Sequence, residues 1–149
     1  SMKRFVSSET EKKWIEEAIK KHEQNEEVRT VITLKKNHEI IGLVSLTNID
    51  TVNRNARINT WIGEITHRKK GYIQEAILLL LKYAFQELGL QRISSNILEG
   101  NMASRKSFLK FGYVEEGILR NAVFKDGNFH NLIVYSMLKD EFYKKYNIE

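Results

Sequence analysis

The sequence predicts an α/β fold, in which helices cover the faces of a mixed β-sheet, and three observations carry this prediction. An apolar stripe at helical spacing runs over residues 72–88 and is wide enough to be covered on more than one side. Apolar, β-branched segments of strand length lie before and after it along the chain. Turn signals, above all Asp126-Gly127, separate several of these segments. Strands and helices distributed in this way favour a sheet with helices packed on it.

The N-terminal half is predicted to contain one helix and three strands. Ser8 opens a capping-box sequence, and the apolar residues behind it recur at helical spacing, which predicts a helix over residues 9–24. Residues 28–34 and 40–46 are apolar on either side of a polar turn, a pattern typical of a β-hairpin. A third strand is predicted over residues 57–62.

The C-terminal half continues with two helices and three strands. Gly89 is well placed to end the helix at 72–88, and Gly112 is well placed to end the second one. The remaining predicted elements are a strand at 93–98, a helix at 101–111 and hairpin strands at 113–123 and 129–138. The predicted order is therefore α-β-β-β-α-β-α-β-β.

Composition restricts the class of protein. A length of 149 residues without proline, repeats or a Gly/Ser-rich linker predicts a single domain over residues 1–149. The absence of cysteine excludes a disulfide framework and thiol catalysis. The longest apolar run, six residues from Ala76 to Leu81, is far shorter than a membrane span. We therefore expect a cytoplasmic protein with no membrane partner.

The net charge and the histidine content restrict the classes of ligand that the chain is expected to bind. The net charge of +5 permits nucleic-acid binding, but basic residues are spread along the chain without an arginine-rich arm or an aromatic ladder. A nucleic-acid module is accordingly the weakest alternative, and attraction to anionic small molecules is favoured. The four histidines lack the spacing of metal ligands, so no metal site is predicted.

A basic turn runs directly into the apolar helix at 72–88. Arg68, Lys69 and Lys70 precede Gly71, and Tyr72 begins the helix. Backbone N–H groups at a helix start, together with the helix dipole, form an anion-binding site that suits a pyrophosphate. On charge alone, a solvated basic turn is the simpler interpretation.

Four segments follow one another in a characteristic order within residues 28–140. They are Arg68-x-x-Gly71-Tyr72-x-x-Glu75-Ala76, then Asn101-x-x-Ser104-Arg105-x-x-Phe108-x-Lys110-x-Gly112-Tyr113, then Glu115-Glu116-Gly117-x-Leu119-Arg120, and finally Phe124-x-Asp126-Gly127-x-Phe129-His130. This ordered set resembles the GCN5-related N-acetyltransferase (GNAT) family. Within it, the set is most similar to the branch that holds ribosomal-protein N-terminal and diamine acetyltransferases.

The resemblance implies acetyl-CoA as cosubstrate. The pyrophosphate would bind at the basic turn and helix start, and the pantetheine arm would lie between the strand that ends at Ile62 and the strand at 93–98. Lys69 and Ile73 occupy positions where the family commonly has glycine. The implied residues around the turn are Ile62, Arg68, Lys69, Lys70, Gly71, Tyr72 and Ile73.

The second CoA motif adds residues at the start of the helix at 101–111. Asn101 and Ser104 are implied to contact the pantetheine or the thioester, although any helix start favours such residues as caps. Arg105 is implied to bind a CoA phosphate, and an ordinary surface arginine is the alternative.

The implied chemistry is direct acetyl transfer, with Glu64, Ser104 and Tyr135 as the catalytic candidates. Glu64 lies near the basic turn and is the best carboxylate for a general base, unless it is only a surface turn residue. Tyr135 offers a hydroxyl near the sulfur, unless it is only a core aromatic. Phe108 stands where many relatives have a tyrosine acid, and Arg57 where a glutamate is common.

The function predicted from the resemblance is an acetyl-CoA-dependent N-acetyltransferase whose acceptor is a protein N-terminus, a polyamine or another small amine. The alternative is a degenerate member of the same fold that binds CoA or a partner without turnover. The fold's first strand and helix are expected to be missing, and an open sheet edge would make a homodimer plausible.

Overall fold

The structure is a computed structural model that describes residues 8–24, 26–62 and 71–149, without the side chains of residues 8–11, 14 and 62. It divides into two compact units, Val6–Leu90 and Gln91–Glu149. Within the described ranges there are six strands and four α-helices, in the predicted order with one further helix at the end. The α/β fold class is confirmed, and no helix in those ranges has the length and apolarity needed to cross a bilayer.

The unit Val6–Leu90 contains every element predicted for it. These are α1 (Ser8–Glu23), β1 (Val28–Thr33), β2 (Ile40–Asp50), β3 (Asn55–Ile62) and α2 (Tyr72–Lys82). β2 lies in the middle and pairs antiparallel with both neighbours, so that Gly42 is opposite Ile32 on one side and Ile62 on the other. β2 is four residues longer than predicted, because Thr47 to Asp50 continue the ladder with β3 through an irregular step.

The apolar face of α2 supplies much of the core of this unit. Ile77, Leu80 and Leu81 are buried, as are Val44 and Leu46 on β2. Full burial of one such aliphatic side chain stabilises the fold by roughly 1.5–3 kcal/mol. The packing of α2 on β2 fixes the start of the helix relative to this sheet.

The helix predicted over residues 72–88 is not α-helical throughout. Residues Tyr83–Glu87 form a π-helical turn, in which the N–H of Leu88 donates to the carbonyl of Tyr83 at 3.1 Å. Ala84 and Phe85 within this turn are fully buried. Apolar periodicity alone does not distinguish the wider turn from an α-helix, since both bury the same stripe.

The unit Gln91–Glu149 holds the remaining elements, which are β4 (Arg92–Leu98), α3 (Met102–Phe111), β5 (Val114–Lys125), β6 (Asn128–Leu138) and α4 (Lys139–Tyr146). β6 lies between β4 and β5 and is antiparallel to both. Asp126 and Gly127 have φ angles of 50° and 80°, the left-handed pair that a two-residue hairpin of type I′ requires. The hairpin predicted at Asp126-Gly127 is confirmed.

α4 is absent from the sequence prediction. The N–H of Leu138 donates to a carboxylate oxygen of Glu141 at 2.9 Å, which holds the first turn, and Phe142 is fully buried. The helix is only eight residues long and follows β6 without an intervening turn. Its few apolar residues give too short a pattern to separate it from the end of the strand.

The β5–β6 ladder is irregular at two places, between Glu115 and Gly117 and between Leu119 and Val123. Glu115 is opposite Tyr135 and Gly117 is opposite Val134, so Glu116 is inserted as a β-bulge. The carboxylates of Glu115 and Glu116 contact Tyr135 and Ser136 respectively, two consecutive residues of β6 whose side chains point to opposite faces. The strand therefore supplies one carboxylate to each face.

Candidate functional site

In the unit Val6–Leu90, the candidate binding residues lie at the N-terminus of α2. Gly71 precedes the helix in the left-handed conformation (φ 82°, ψ −5°), and no side chain of the described residues caps the helix. The carbonyl of Gly71 accepts from the N–H of Glu75 at 3.1 Å, and the earlier N–H groups of the turn have no such backbone partner among the described residues. An uncapped helix start of this kind binds anions.

Gly71 is required for its backbone conformation and not for lack of space. A Cβ added to this residue would meet no atom within 4 Å in the described structure. A φ of 82° is, however, unfavourable for any residue with a Cβ. Tyr72 and Ile73, the first two helical residues, are half-buried. These three residues place N–H groups where the sequence predicted the phosphate site.

Several predicted residues fall on the segment at 63–70, outside the described residues. These are Glu64, Arg68, Lys69 and Lys70. Ile62 is the last residue of β3, and only its backbone is among the described parts of the chain. The roles of these five residues stay predictions.

In the unit Gln91–Glu149, the candidate residues lie at the N-terminus of α3. The side-chain oxygen of Asn101 accepts a hydrogen bond from the backbone N–H of Ser104 at 3.2 Å. The cap role that the sequence allowed for Asn101 is thereby confirmed, while its ligand role stays a prediction. The hydroxyl of half-buried Ser104 has no hydrogen-bond partner within the described residues. It is therefore free to contact a ligand.

Arg105 is tied into the protein by several bonds. Its Nε donates to the Tyr135 hydroxyl at 3.1 Å, and its two terminal nitrogens donate to the Glu99 carbonyl at 3.2 Å and a Glu115 carboxylate oxygen at 3.3 Å. The hydrogen bond to Tyr135, followed by the hydrogen bond to Glu115 and its charge, raises the pKa of Arg105. Arg105 thus joins the first turn of α3 to β5 and β6.

Tyr135 lies at the centre of this network. Its hydroxyl donates to a Glu115 carboxylate oxygen at 3.0 Å, and the residue is fully buried. Its ring is 5.9 Å from that of Phe108, which in turn is 4.7 Å from the ring of Tyr113. Tyr135 is therefore a core aromatic whose hydroxyl is bonded to Arg105 and Glu115, and a role for that hydroxyl near the sulfur stays a prediction.

Tyr113 differs from Tyr135 in one respect. Its hydroxyl is buried and has no hydrogen-bond partner among the described residues. Burial raises the pKa of Tyr113 well above its usual range, so the phenol is neutral at any physiological pH. The buried hydroxyl is costly, because it has lost water and gained no protein partner.

A second cluster lies on the other face of β6. Arg92 donates two hydrogen bonds to the carboxylate of Glu116, at 2.6 and 2.5 Å, and the hydroxyl of Ser136 donates to the same group at 2.6 Å. The bond from Arg92, reinforced by that from Ser136, lowers the pKa of Glu116 to about 2. This cluster fixes the start of β5 to β4 and β6.

Sequence reasoning quoted Glu115 and Glu116 as part of a motif but assigned neither a partner. Their partners lie 10 to 24 residues away along the chain and come from three other elements. The pairing register of β5 with β6 places the two glutamates beside these partners. Among the described residues, no group of three or more His, Cys, Asp or Glu side chains is arranged to hold a metal.

Comparisons with known proteins give a consistent result. Residues 2–114 match a family model described as acetyltransferase (GNAT) domain. YdaF of Bacillus subtilis (strain 168), provisionally named a ribosomal N-acetyltransferase, is 40% identical over 102 residues, which are 68% of this chain and 55% of YdaF. The ribosomal-protein-serine acetyltransferase of Escherichia coli (strain K12) is 26% identical over 137 residues, 91% of this chain and 75% of that protein.

Solved structures agree with the sequence comparison. A mutant of the spermidine N-acetyltransferase SpeG from Vibrio cholerae matches with a TM-score of 0.82 at 26% identity, covering 91% of this chain and 79% of that chain. The match to YdaF spans only about half of that protein's length, 55%.

Proposed function

Since the chain belongs to the GNAT acetyltransferase family, we propose that it transfers the acetyl group of acetyl-CoA to the nitrogen of an amine. The observation that carries the proposal is the start of α2, where left-handed Gly71 precedes a helix that no described side chain caps. The N–H groups of this turn suit the pyrophosphate of CoA, since they combine hydrogen bonds with the positive end of the helix dipole.

Three groups of residues are proposed to bind CoA. The N–H groups after Gly71, at Tyr72 and Ile73, hold the pyrophosphate, and the side chains of Arg68, Lys69 and Lys70 add positive charge. The backbone at Ile62 contacts the pantetheine arm. At the start of α3, Asn101 and Ser104 contact the thioester end; Asn101 retains a side-chain NH2 for this purpose, because only its oxygen is used by the cap.

The reaction is a direct transfer. The amine nitrogen attacks the thioester carbonyl carbon, the carbon–sulfur bond breaks, and the leaving thiolate takes up a proton while the amine gives one up. Glu64 is proposed as the base that accepts the amine proton. Holding the two substrates in line supplies most of the acceleration, so no covalent enzyme intermediate is required.

Ser104 is proposed as the group that donates to the leaving sulfur. The other hydroxyl predicted for this role belongs to Tyr135, which is fully buried and already bonded to Glu115 and Arg105. Phe108, which lies on α3 with Ser104, has no hydroxyl. Ser104 combines partial exposure with a hydroxyl that lacks a partner in the described part of the chain.

The acceptor belongs to the class of amines. Relatives of this chain carry names that refer to ribosomal proteins and to spermidine, and both acceptors present a primary amine or a protein N-terminus. We propose a protein N-terminus, a polyamine or another small amine as the acceptor.

The test is release of free CoA thiol from acetyl-CoA in the presence of a panel of ribosomal-protein N-terminal peptides and polyamines. The chain contains no cysteine, so a thiol reagent reports only the product. Intact-mass measurement without acceptor should show no acetylated protein, as a direct transfer requires. Thiol release no faster than in protein-free controls, for every acceptor, would contradict the proposal.

A matched pair of serines on α3 tests the role of Ser104. Ser104→Ala should lower kcat by about 10²-fold, the lower range for loss of a general acid, with little change in acetyl-CoA affinity. Ser107→Ala on the same helix should leave kcat unchanged. Equal rates for the two variants would remove Ser104 from the mechanism.

The non-catalytic alternative makes a different prediction. A degenerate protein would bind acetyl-CoA in a calorimetric titration and still release no thiol with any acceptor. Binding together with turnover supports transfer, binding without turnover supports the alternative, and absence of binding contradicts both.

A further inference from the structure

The second irregularity of the β5–β6 ladder is a bulge of three residues. Leu119 and Val123 are four positions apart on β5, whereas their partners on β6 are only two positions apart. The three residues between them, at 120–122, are therefore opposite Asn131 alone, and all three are exposed. Bulges bend a strand and turn side chains out of the regular ladder. We refer to this segment as the 120–122 bulge.

Hydrogen bonds fix the 120–122 bulge to the turn before α3. The N–H of Asn121 donates to the side-chain oxygen of Asn131 at 2.9 Å, and the side-chain nitrogen of Asn131 donates to a Glu99 carboxylate oxygen at 3.0 Å. The backbone N–H of Glu99 donates in turn to the carbonyl of Asn131 at 3.1 Å. Glu99 is two residues before Asn101, which caps α3 at the proposed thioester end. The bulge therefore lies beside that end of the site.

The three arginines of the unit Gln91–Glu149 differ in their partners. Arg92 and Arg105 are each bonded to a glutamate of β5. Arg120, in the bulge, is exposed and has no hydrogen-bond or ion-pair partner among the described residues. A guanidinium presents a planar set of N–H donors that fits carboxylate and carbonyl oxygens. Arg120 is thus available to an oxygen atom of a ligand.

One negative group lies at the other end of the same hydrogen-bond chain. The carboxylate of Glu99 is exposed, and the oxygen that Asn131 does not contact has no partner in the described part of the chain. Glu99 and Arg120, both described, form no ion pair with each other. The place therefore offers one anion, which attracts an ammonium group, and one separate cation, which attracts an oxygen.

This pair of charges indicates the class of acceptor. A peptide N-terminus carries an ammonium group and, close to it, a carbonyl oxygen, whereas a polyamine carries further ammonium groups and no oxygen. Given the acetyl transfer proposed above, on which this step rests, we propose that Glu99 and Arg120 select a peptide N-terminus as the acceptor. Glu99 attracts its ammonium group, and Arg120 donates to its first carbonyl oxygen. The same guanidinium repels the additional charges of a polyamine.

The first experiment compares three acceptors, a tripeptide amide, n-propylamine and spermidine, by thiol release. The wild type should have the highest kcat/KM for the tripeptide amide. Arg120→Ala should lower that value about tenfold, mainly through KM, because a hydrogen bond from a charged group is lost. The KM for acetyl-CoA and kcat/KM for n-propylamine should not change. A wild type that prefers spermidine, or an Arg120→Ala variant with an unchanged KM for the tripeptide amide, would overturn the proposal.

Three further variants serve as controls for charge. Lys125→Ala removes an exposed cation of β5 outside the bulge and should behave like the wild type with every acceptor. Arg120→Glu should raise kcat/KM for spermidine and remove the preference for the tripeptide amide. Glu99→Gln keeps an oxygen for Asn131 and should raise the KM of the tripeptide amide about threefold, as expected for an exposed ion pair. An unchanged KM in Glu99→Gln would remove Glu99 from the acceptor site.

Asn131 is a positioning residue in this proposal, since it holds the 120–122 bulge beside the turn before α3. Asn131→Ala removes the bonds to Asn121 and Glu99 and should raise the KM of the tripeptide amide, although Arg120 is still present. Combined with Arg120→Ala, it should add no further loss, because both changes remove the same contact. Additive losses would show that Asn131 does not act through Arg120.

A binding measurement separates this proposal from the proposed function. The tripeptide amide is titrated calorimetrically into the full chain saturated with CoA, and Arg120→Ala should raise its Kd about tenfold. Binding that depends on Arg120, without any thiol release, would contradict acetyl transfer and keep the selection of a peptide N-terminus. Thiol release with equal peptide affinity in the two proteins would keep acetyl transfer and overturn the selection. Absence of both binding and release would contradict both.

Discussion

The hydroxyl of Tyr135 donates a hydrogen bond to a carboxylate oxygen of Glu115 at a distance of 3.0 Å. The same hydroxyl accepts from Arg105 at 3.1 Å, so a fully buried phenol sits between an anion and a cation. Because the first turn of α3 carries Arg105, this pair fixes the helix start at which Asn101 and Ser104 lie. The network is structural support for the proposed thioester end of the site.

Of the two buried tyrosines, only Tyr135 should lose stability when its hydroxyl is removed. Tyr135→Phe removes hydrogen bonds to charged groups and should lower the free energy of unfolding by about 1.5–3 kcal/mol. Tyr113→Phe removes a buried hydroxyl without a partner among the described residues and should leave stability equal or higher. Urea denaturation of the two variants makes the comparison.

The Tyr135→Phe variant also tests whether the Tyr135 hydroxyl takes part in catalysis. If Tyr135 only positions α3, Tyr135→Phe should lower kcat less than Ser104→Ala does, and the pH profile of kcat should keep its shape. A loss in kcat as large as that of Ser104→Ala, with a displaced alkaline limb, would restore Tyr135 as the proton donor that the sequence suggested.

Replacement of Gly71 should cost stability through its backbone alone. Gly71→Ala forces a residue with a Cβ into a φ of 82°, which costs about 1–2 kcal/mol, although the added Cβ meets no atom within 4 Å. Acetyl-CoA affinity should fall as well, since the N–H groups after Gly71 move with the backbone. Thermal unfolding and calorimetric titration measure the two effects.

Gly100 provides the matched control. It also has no atom within 4 Å of an added Cβ, and its φ lies outside the left-handed region. Gly100→Ala should therefore be close to neutral in both measurements. If the two alanine variants were equally stable, the left-handed conformation of Gly71 would not be what the sequence requires there.

Most of the fold could be predicted from local patterns, whereas much of the site could not. The Asp126-Gly127 turn and the caps at Asn101 and Gly112 depend on residues next to one another, and all are found as predicted. The family resemblance could be predicted because it depends on ordered motifs along the chain, and the match of residues 2–114 to the GNAT domain confirms it. The Ser104 hydroxyl, which has no partner in the described part of the chain, and the bonded hydroxyl of Tyr135 depend on contacts that no local pattern records.

The features that the sequence did not predict have the same physical origin. Glu116 was part of a quoted motif, yet its partners Arg92 and Ser136 are 24 and 20 residues away and meet it only through the sheet register. The π-helical turn at Tyr83–Glu87 buries the same apolar stripe as an α-helix would. In both cases tertiary packing decides between arrangements that the sequence pattern leaves equal.

The cap at Asn101 allows fold and ligand effects to be separated. Asn101→Ala removes the acceptor for the Ser104 N–H and should destabilise the chain by about 1 kcal/mol. Asn101→Asp keeps an equally good cap but replaces the side-chain NH2 by a charged oxygen. We expect it to unfold like the wild type while its KM for acetyl-CoA rises. An aspartate variant as unstable as the alanine variant would contradict the cap assignment.

Glu116 should make stability fall at acidic pH. Its pKa is lowered from 4.5 to about 2 by the hydrogen bonds from Arg92 and Ser136, so folding favours the ionised carboxylate. A group whose pKa is lower in the folded chain stabilises it fully above the unfolded value. That contribution is lost as the pH falls from about 4.5 to about 2.

Glu116→Gln should therefore be less stable than the wild type at pH 6, and the difference in unfolding free energy should shrink steadily below pH 4.5. The effect is smaller than the pKa change alone implies, because the Glu116 side chain is 38% exposed and partly screened by water. Glu17→Gln, at an exposed carboxylate of α1, should track the wild type across the same range. Urea denaturation at a series of pH values gives these curves. A Glu116→Gln deficit that stayed constant from pH 6 to pH 2.5 would show that the carboxylate's charge is not what stabilises β5.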